Sequence, residues 1–416
     1  MTQSQKTVEI KLDKLKNLLD RLVAIGGSFL SGLKTMEIKK ESVMLWITLI
    51  LSFFGIGSVG DEMSNVSVAM NGDLLVAGSI LIPDDGEDKL AIPQADTYIA
   101  RLKSDGKTVK WEKSYGWNKD DHAYSIAEYT DGSLQVVGDT WSSGNGLSDA
   151  YFMCLDSMGE LIWEQDFGGP SNDSMRALAL FPDRFVSVGF TQSSGGWGEG
   201  LPWAMAVDKE GKFIWSTVVG QEHAGRFRDV VRTRGGVVAV GEVQISSDPE
   251  ETDSAVTHVL VAKLSDQGEI VWQNQHLVGF SPEARAVVSL SDGGFLIGGS
   301  THKSASAYRD GFILRLDQMG SMLGFKLMGG SKHDTFNDLI LLPKNRWLAI
   351  GETRSFGVPS VDIWLRGGTL NGATFVNDHF GTYTYTESGS ALALHPNGSI
   401  AYAANHYVGI LAFIKP

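Results

Sequence analysis

The chain has one cysteine in 416 residues, Cys154. No internal disulfide can form, so cysteine usage leaves the cellular compartment undecided. Cys154 sits in the apolar run "AYFMCLD" and reads as a small buried hydrophobe. Basic residues are also scarce: 35 against 49 acidic, for a net charge of −14. A field of that sign repels nucleic acid and excludes DNA or RNA as a partner. The nine histidines show no pair at metal-ligand spacing, so no zinc site is expected. No phosphate-binding Gly-rich loop, nucleophile elbow or dinucleotide fingerprint occurs. Proline is sparse, at 11, whereas glycine reaches 49 and aromatics 10%. That balance suits an all-β protein full of turns.

What is present is a repeat. A short apolar run ends in Gly six times: "LLVAGS", "LQVVGDT", "FVSVGFT", "VVAVGEV", "FLIGGST" and "WLAIGET". The anchoring glycines are Gly78, Gly138, Gly189, Gly241, Gly299 and Gly351, 51 to 60 residues apart. A degenerate seventh copy, "SIAYAAN", has Ala404 in the glycine slot. Trp111, Trp163, Trp215 and Trp272 keep the same beat, and Phe325 takes the slot in the next copy. Each unit reads as four short strands separated by turns rich in Gly, Asp and Asn. In the second unit these are "AYSIAEY", "SLQVVGDT", "DAYFMCLD" and "LIWEQDFGG".

Four-stranded units of this length are the signature of a β-propeller blade. A single blade cannot bury both faces, so neighbours stack to make the core. The expectation is an all-β, seven-bladed β-propeller of four-stranded antiparallel blades, preceded by an N-terminal helical or apolar segment. The repeated Trp is expected to wedge between adjacent blades. "LDSMGELIW", "VDKEGKFIW" and "LSDQGEIVW" resemble the tryptophan-docking repeats of quinoprotein-like bacterial propellers. The resemblance runs from about residue 61 to the end and implies a propeller. It carries no activity: the Thr usual before the turn Gly is missing, and one cysteine cannot supply the adjacent pair of many quinone-using enzymes.

The expected domains are 1–35, an amphipathic helix or extension; 36–60, a signal peptide, membrane anchor or ring-closing strand; and 61–416, the propeller. Apolar residues at helical spacing run through Val8, Leu12, Leu15, Leu19 and Leu22. Residues 43–60 carry no charge, follow Lys39, Lys40 and Glu41, and end in "SVG". That pattern favours export or membrane association, and an extracytoplasmic location (periplasmic, secreted or anchored). The competing reading uses the same segment as the outer strand of the last unit, which shows only three strands.

Candidate site residues come from aligning the first strands. Their fourth residues are Ser64, Tyr124, Arg176, Arg228, Arg285, Asn337 and Ser390. Three arginines in consecutive units would converge on one mouth and offer forked donors to carboxylate, sulfate or phosphate. The residue after the anchoring Gly is acidic at Asp139, Glu242 and Glu352. These acids either neutralise the arginines or share in ligand binding. Trp117, Trp141, Trp197 and Trp203 fall in loops of the first three units on the same face, where an aromatic ring would suit the flat side of a sugar. The first expectation is a non-enzymatic binding or scaffold module for an anionic glycan or a peptide. The alternative is a polysaccharide lyase or glycoside hydrolase, for which Glu242 and Glu352 would have to face each other at glycosidase separation. No cofactor is expected. Calcium at the loop Asp84 to Asp88 is the one metal left open, although that loop lacks alternate-position ligands.

Overall fold

The computed structural model describes residues 62–82, 94–195, 200–220, 223–245, 256–357, 361–381, 386–405 and 407–411. Six four-stranded antiparallel sheets follow one another along the chain: blades one to six, residues 62–115, 121–167, 173–218, 225–276, 280–328 and 334–380. In each blade the strands pair in sequence order. A last sheet, residues 389–411, has three strands.

This corrects the expectation of seven four-stranded blades. The propeller has six complete blades, and the three-stranded sheet occupies the gap between blade six and blade one. It packs on both: Ile350 and Ile363 of blade six meet Leu392 and Tyr402, and Met63, Val66 and Tyr98 of blade one meet Ala391, Ala401 and Val408. No described strand pairs with the outer edge of Tyr407–Leu411. The expected N-terminal helix, the uncharged run 43–60 and the Asp84 to Asp88 loop all lie outside the described residues. Among the described residues, no helix is long and apolar enough to cross a membrane.

The core lies between blades. Blade two shows why its middle strands are buried throughout. Val136 and Met153 face blade one, while Val137 and Phe152 face blade three. Alternate residues point to opposite faces, and both faces are covered, so "LQVVGDT" has no exposed side. Cys154 is in this strand set, buried, with burial pushing its thiol up to about 11.

The tryptophan beat has a specific cause. Each Trp lies across the hairpin turn of the following blade. The indole N–H of Trp111 donates to the Ser157 carbonyl at 3.1 Å, that of Trp163 to Lys209 at 2.7 Å, and that of Trp215 to Asp266 at 3.1 Å. The rings cover Gly159, Gly211, Gly268 and, from Trp272, Gly320. A Cβ there would meet the ring at 2.8, 3.0, 2.5 and 2.7 Å. These glycines also have φ between 76° and 85°, which a side chain disfavours. The Gly-to-Trp phrase is therefore one half of two separate contacts: its Gly receives the previous blade, and its Trp reaches the next.

Candidate functional site

The second repeated glycine builds the site. Every first strand contains a β-bulge, and the residue left out of register is the aligned one: Ser64, Tyr124, Arg176, Arg228, Arg285, Asn337 and Ser390. A bulge leaves its extra residue unpaired and re-aims its side chain. It also pulls the first strand over the second. A Cβ on Gly78, Gly138, Gly189, Gly241, Gly299 or Gly351 would come within 1.7 to 2.1 Å of a first-strand carbonyl. In the last sheet the roles exchange, with Gly389 opposite Ala404.

These seven side chains line one cavity of about 350 Å³ along the ring axis. Two of the three arginines are held by carboxylates. Arg228 engages both oxygens of Glu242 through Nε, at 3.0 and 2.8 Å. Arg285 donates to Glu283 at 3.1 and 2.6 Å and to Asn337 at 2.8 Å. Asn337 passes the chain on to Ser388 and the Gly389 carbonyl. Arg176 differs. Its guanidinium lies 3.9 Å from the centre of the Tyr124 ring, and the nearest carboxylate oxygen, on Asp139, is 3.8 Å away. Asp139 is taken up by His122 at 2.9 Å and Ser174 at 2.8 Å.

Sequence reasoning missed Glu283 and Arg309. Arg309 pairs with Glu283 at 2.6 Å, so this carboxylate serves Arg228, Arg285 and Arg309 together. Burial works against its charge, but the three guanidiniums outweigh burial and hold it at about 2. Asp139 is also held below the usual carboxylate range: burial opposes this, and the His122 hydrogen bond and the Arg176 charge prevail. Burial tends to lower His122, yet the Asp139 bond carries it upward. Burial, with the Asp139 charge, raises the Tyr124 phenol. Arg226 adds a further cation, 3.5 Å from Glu242. The mouth thus gathers five guanidiniums, of Arg176, Arg226, Arg228, Arg285 and Arg309, around three paired carboxylates, Asp139, Glu242 and Glu283.

Two more acids were missed one residue further along the bulged strands. Asp229 accepts N–H bonds from Val230 and, in blade five, Val287. Asp338 accepts from Leu339 and, in the last sheet, Leu392. Both keep a narrow opening to the cavity and are otherwise ringed by protein. Burial and the Asp338 charge push Asp229 up to about 7, and burial pushes Asp338 up to about 6. The signal available was the shared pattern "FRD" and "FND", with the Asp directly after the aligned residue in each.

Neither Glu242 nor Glu352 lines the cavity. Glu352 follows Gly351, opposite Thr335 and Ile363, and makes no ion pair with a described residue. Glu242 is held bidentate by Arg228. Trp141 and Trp117 are exposed at the loops. Trp197 lies outside the described residues. Trp203 is no loop aromatic: it is buried between blades two and three, with its N–H on Ser216. No group of three or more His, Cys, Asp or Glu among the described residues could hold a metal ion.

Ring-stacked blades around an axial cavity define a β-propeller, and solved structures agree on that class. The chain is similar to the WD40 β-propeller domain of Doa1 (12% identity, TM-score 0.52, covering 87% of this chain and 96% of that one). It is equally similar to a streptogramin B lyase (12%, 0.52, covering 86% and 96%). The extracellular domains 1–2 of Drosophila semaphorin 1a follow (9%, 0.51, covering 86% and 88%). At these identities the likeness shows the fold alone. No protein-family model matches the chain, and no curated protein matches it.

Proposed function

We propose that this propeller is a binding module rather than a catalyst, and that its mouth receives the acidic group of an anionic glycan or acidic peptide. The observation that carries the reading is Arg176. It is stacked on Tyr124 and has no carboxylate within hydrogen-bond reach, in a cavity whose lining also carries Arg228 and Arg285. A stacked, under-neutralised guanidinium keeps its forked donors for an incoming anion. Exposed Trp117 and Trp141 supply aromatic surface beside the loops, which favours a sugar over a peptide. Export or membrane association through residues 43–60 belongs to the same proposal and rests on that uncharged run. So does kinship with tryptophan-docking, quinoprotein-like propellers, which rests on the Trp-to-Gly contacts.

The test is calorimetric titration with oligogalacturonate, a heparin-derived oligosaccharide and oligoglutamate, on the wild type and Arg176→Ala. The expected result is salt-sensitive binding to one of the sugars, weakened about tenfold by the substitution, equivalent to roughly 1.4 kcal/mol. Equal binding by both proteins, or none to any probe, discards the reading.

A further inference from the structure

The opposite end of the ring holds a larger cavity. In blade four, Thr233 pairs with Gly236, Gly236 with Ser265, and Leu264 with Ile270. These pairs bring both hairpin turns to the end away from the mouth. There, between blades four and five, lies a groove of about 800 Å³.

Its lining is unusual for a chain with net charge −14. Arg234 and Lys263 line it, and neither makes an ion pair with a described acid, whereas Arg232 at its edge turns its side chain toward blade three. Arg232 is tethered over the Phe181 ring at 4.7 Å, next to the Leu180 carbonyl. Arg234 is exposed in the turn and Lys263 half-buried on the third strand. The rest of the lining is mostly apolar, with Thr233, Ser289 and Gln318 as its neutral polar members. Trp272 stands edge-on to Phe295 at 6.3 Å, pinned by its contact with Gly320, and Leu290 lies beside them.

The fold does not impose this lining. The corresponding groove between blades two and three, about 500 Å³, is lined by Asp131, Asp156 and Glu210, and its Lys209 is paired with Asp131 at 2.9 Å. Nor do residues 1–61 complement it by charge: they carry eight basic and six acidic side chains. The groove is preformed, of ligand size, apolar on one wall and cationic on the other.

We propose that this groove binds a small organic anion carried on an apolar, preferably aromatic, body. Arg234 and Lys263 hold the acid group, and Trp272, Phe295 and Leu290 receive the body. The probe is 8-anilinonaphthalene-1-sulfonate, titrated by fluorescence into the full chain. The uncharged N-phenyl-1-naphthylamine serves as its neutral counterpart. Saturable binding is expected, weakened about tenfold or more by Arg234→Glu and by Lys263→Glu. The neutral probe is expected to bind more weakly and to ignore both changes. Lys107→Glu, an exposed reversal in a turn of blade one, is expected to leave the titration unchanged. Should a reversal unfold the protein, Arg234→Gln and Lys263→Gln are read instead, with the same direction expected. Unchanged affinity in the groove variants, equal binding of the neutral probe, an equal loss in Lys107→Glu, or no saturable binding overturns the proposal.

Discussion

The junction between blades two and three and the junction between blades five and six start from one plan and finish differently. In the first, Trp163 lies over Gly211 and donates to the Lys209 carbonyl. In the second, Phe325 stands in the Trp slot. It leans on Phe312 and leaves Gly372 bare: a Cβ there would meet nothing within 4 Å. A cavity of about 240 Å³ lies between Phe325, Trp347 and Gly372. The slot in blade six is Val376, packed toward the three-stranded sheet. The ring thus has a side clasped by indole rings and a side that closes without them. A clasp combines apolar cover with one hydrogen bond to an otherwise exposed carbonyl, and a phenyl ring supplies only part of the first.

Trp163→Ala should produce the largest effect. It removes a half-buried indole and its bond to Lys209, for a loss of about 3 kcal/mol in urea unfolding. Val376→Ala at the matching slot should cost only about 1 kcal/mol. Comparable costs at the two slots would dissolve the contrast. Phe325→Trp is the converse: the added ring reaches toward Gly372, fills the cavity and stabilises by about 1 kcal/mol. A loss instead of a gain would mean that Phe312 and the turn do not admit the indole.

The smallest effect is the response to pH. Asp338, which ties blade six to the three-stranded sheet through the Leu392 N–H, has its pKa raised from 3.8 to about 6. Its stabilising contribution is complete below about 3.8 and is lost as pH rises through 6. Asp229, raised from 3.8 to about 7, acts the same way between blades four and five. Glu283 has the opposite sign. Lowered from 4.5 to about 2, it contributes above 4.5 and is lost as pH falls toward 2. The urea midpoint should therefore peak near pH 4 to 5, decline to about pH 7 and level off above it. Asp338→Asn should flatten part of that decline. A midpoint that stays level from pH 5 to 8 would remove the aspartates from the account.

The propeller class was legible because both of its glycines recur for steric reasons, one beneath a bulged strand and one beneath an indole. The bulged positions themselves followed from simple alignment of the first strands. The three strands of the last sheet were legible, but whether residues 43–60 add a fourth was not, because an apolar run has the same composition as an outer strand and as an export signal. The pairing at the mouth was half legible. Glu242 sits one residue after its anchoring Gly, next to Arg228 across the hairpin. Glu283 and Arg309 lie on the first and third strands of blade five and meet across the second, and neither occupies the aligned bulge position or the position after the anchoring Gly, so local pattern carries no trace of the pair. Trp203 misled for a related reason: it directly follows a polar, Gly-rich loop, but its strand has already turned inward.

The bulge has a consequence for how the molecule can change. A residue outside the hydrogen-bonded ladder can be exchanged without disturbing its neighbours' pairing. Ser, Tyr, Arg, Arg, Arg, Asn and Ser already occupy this one position around the axis. Recognition is thereby separated from architecture, and a new specificity could be written seat by seat while the scaffold beneath stays the same.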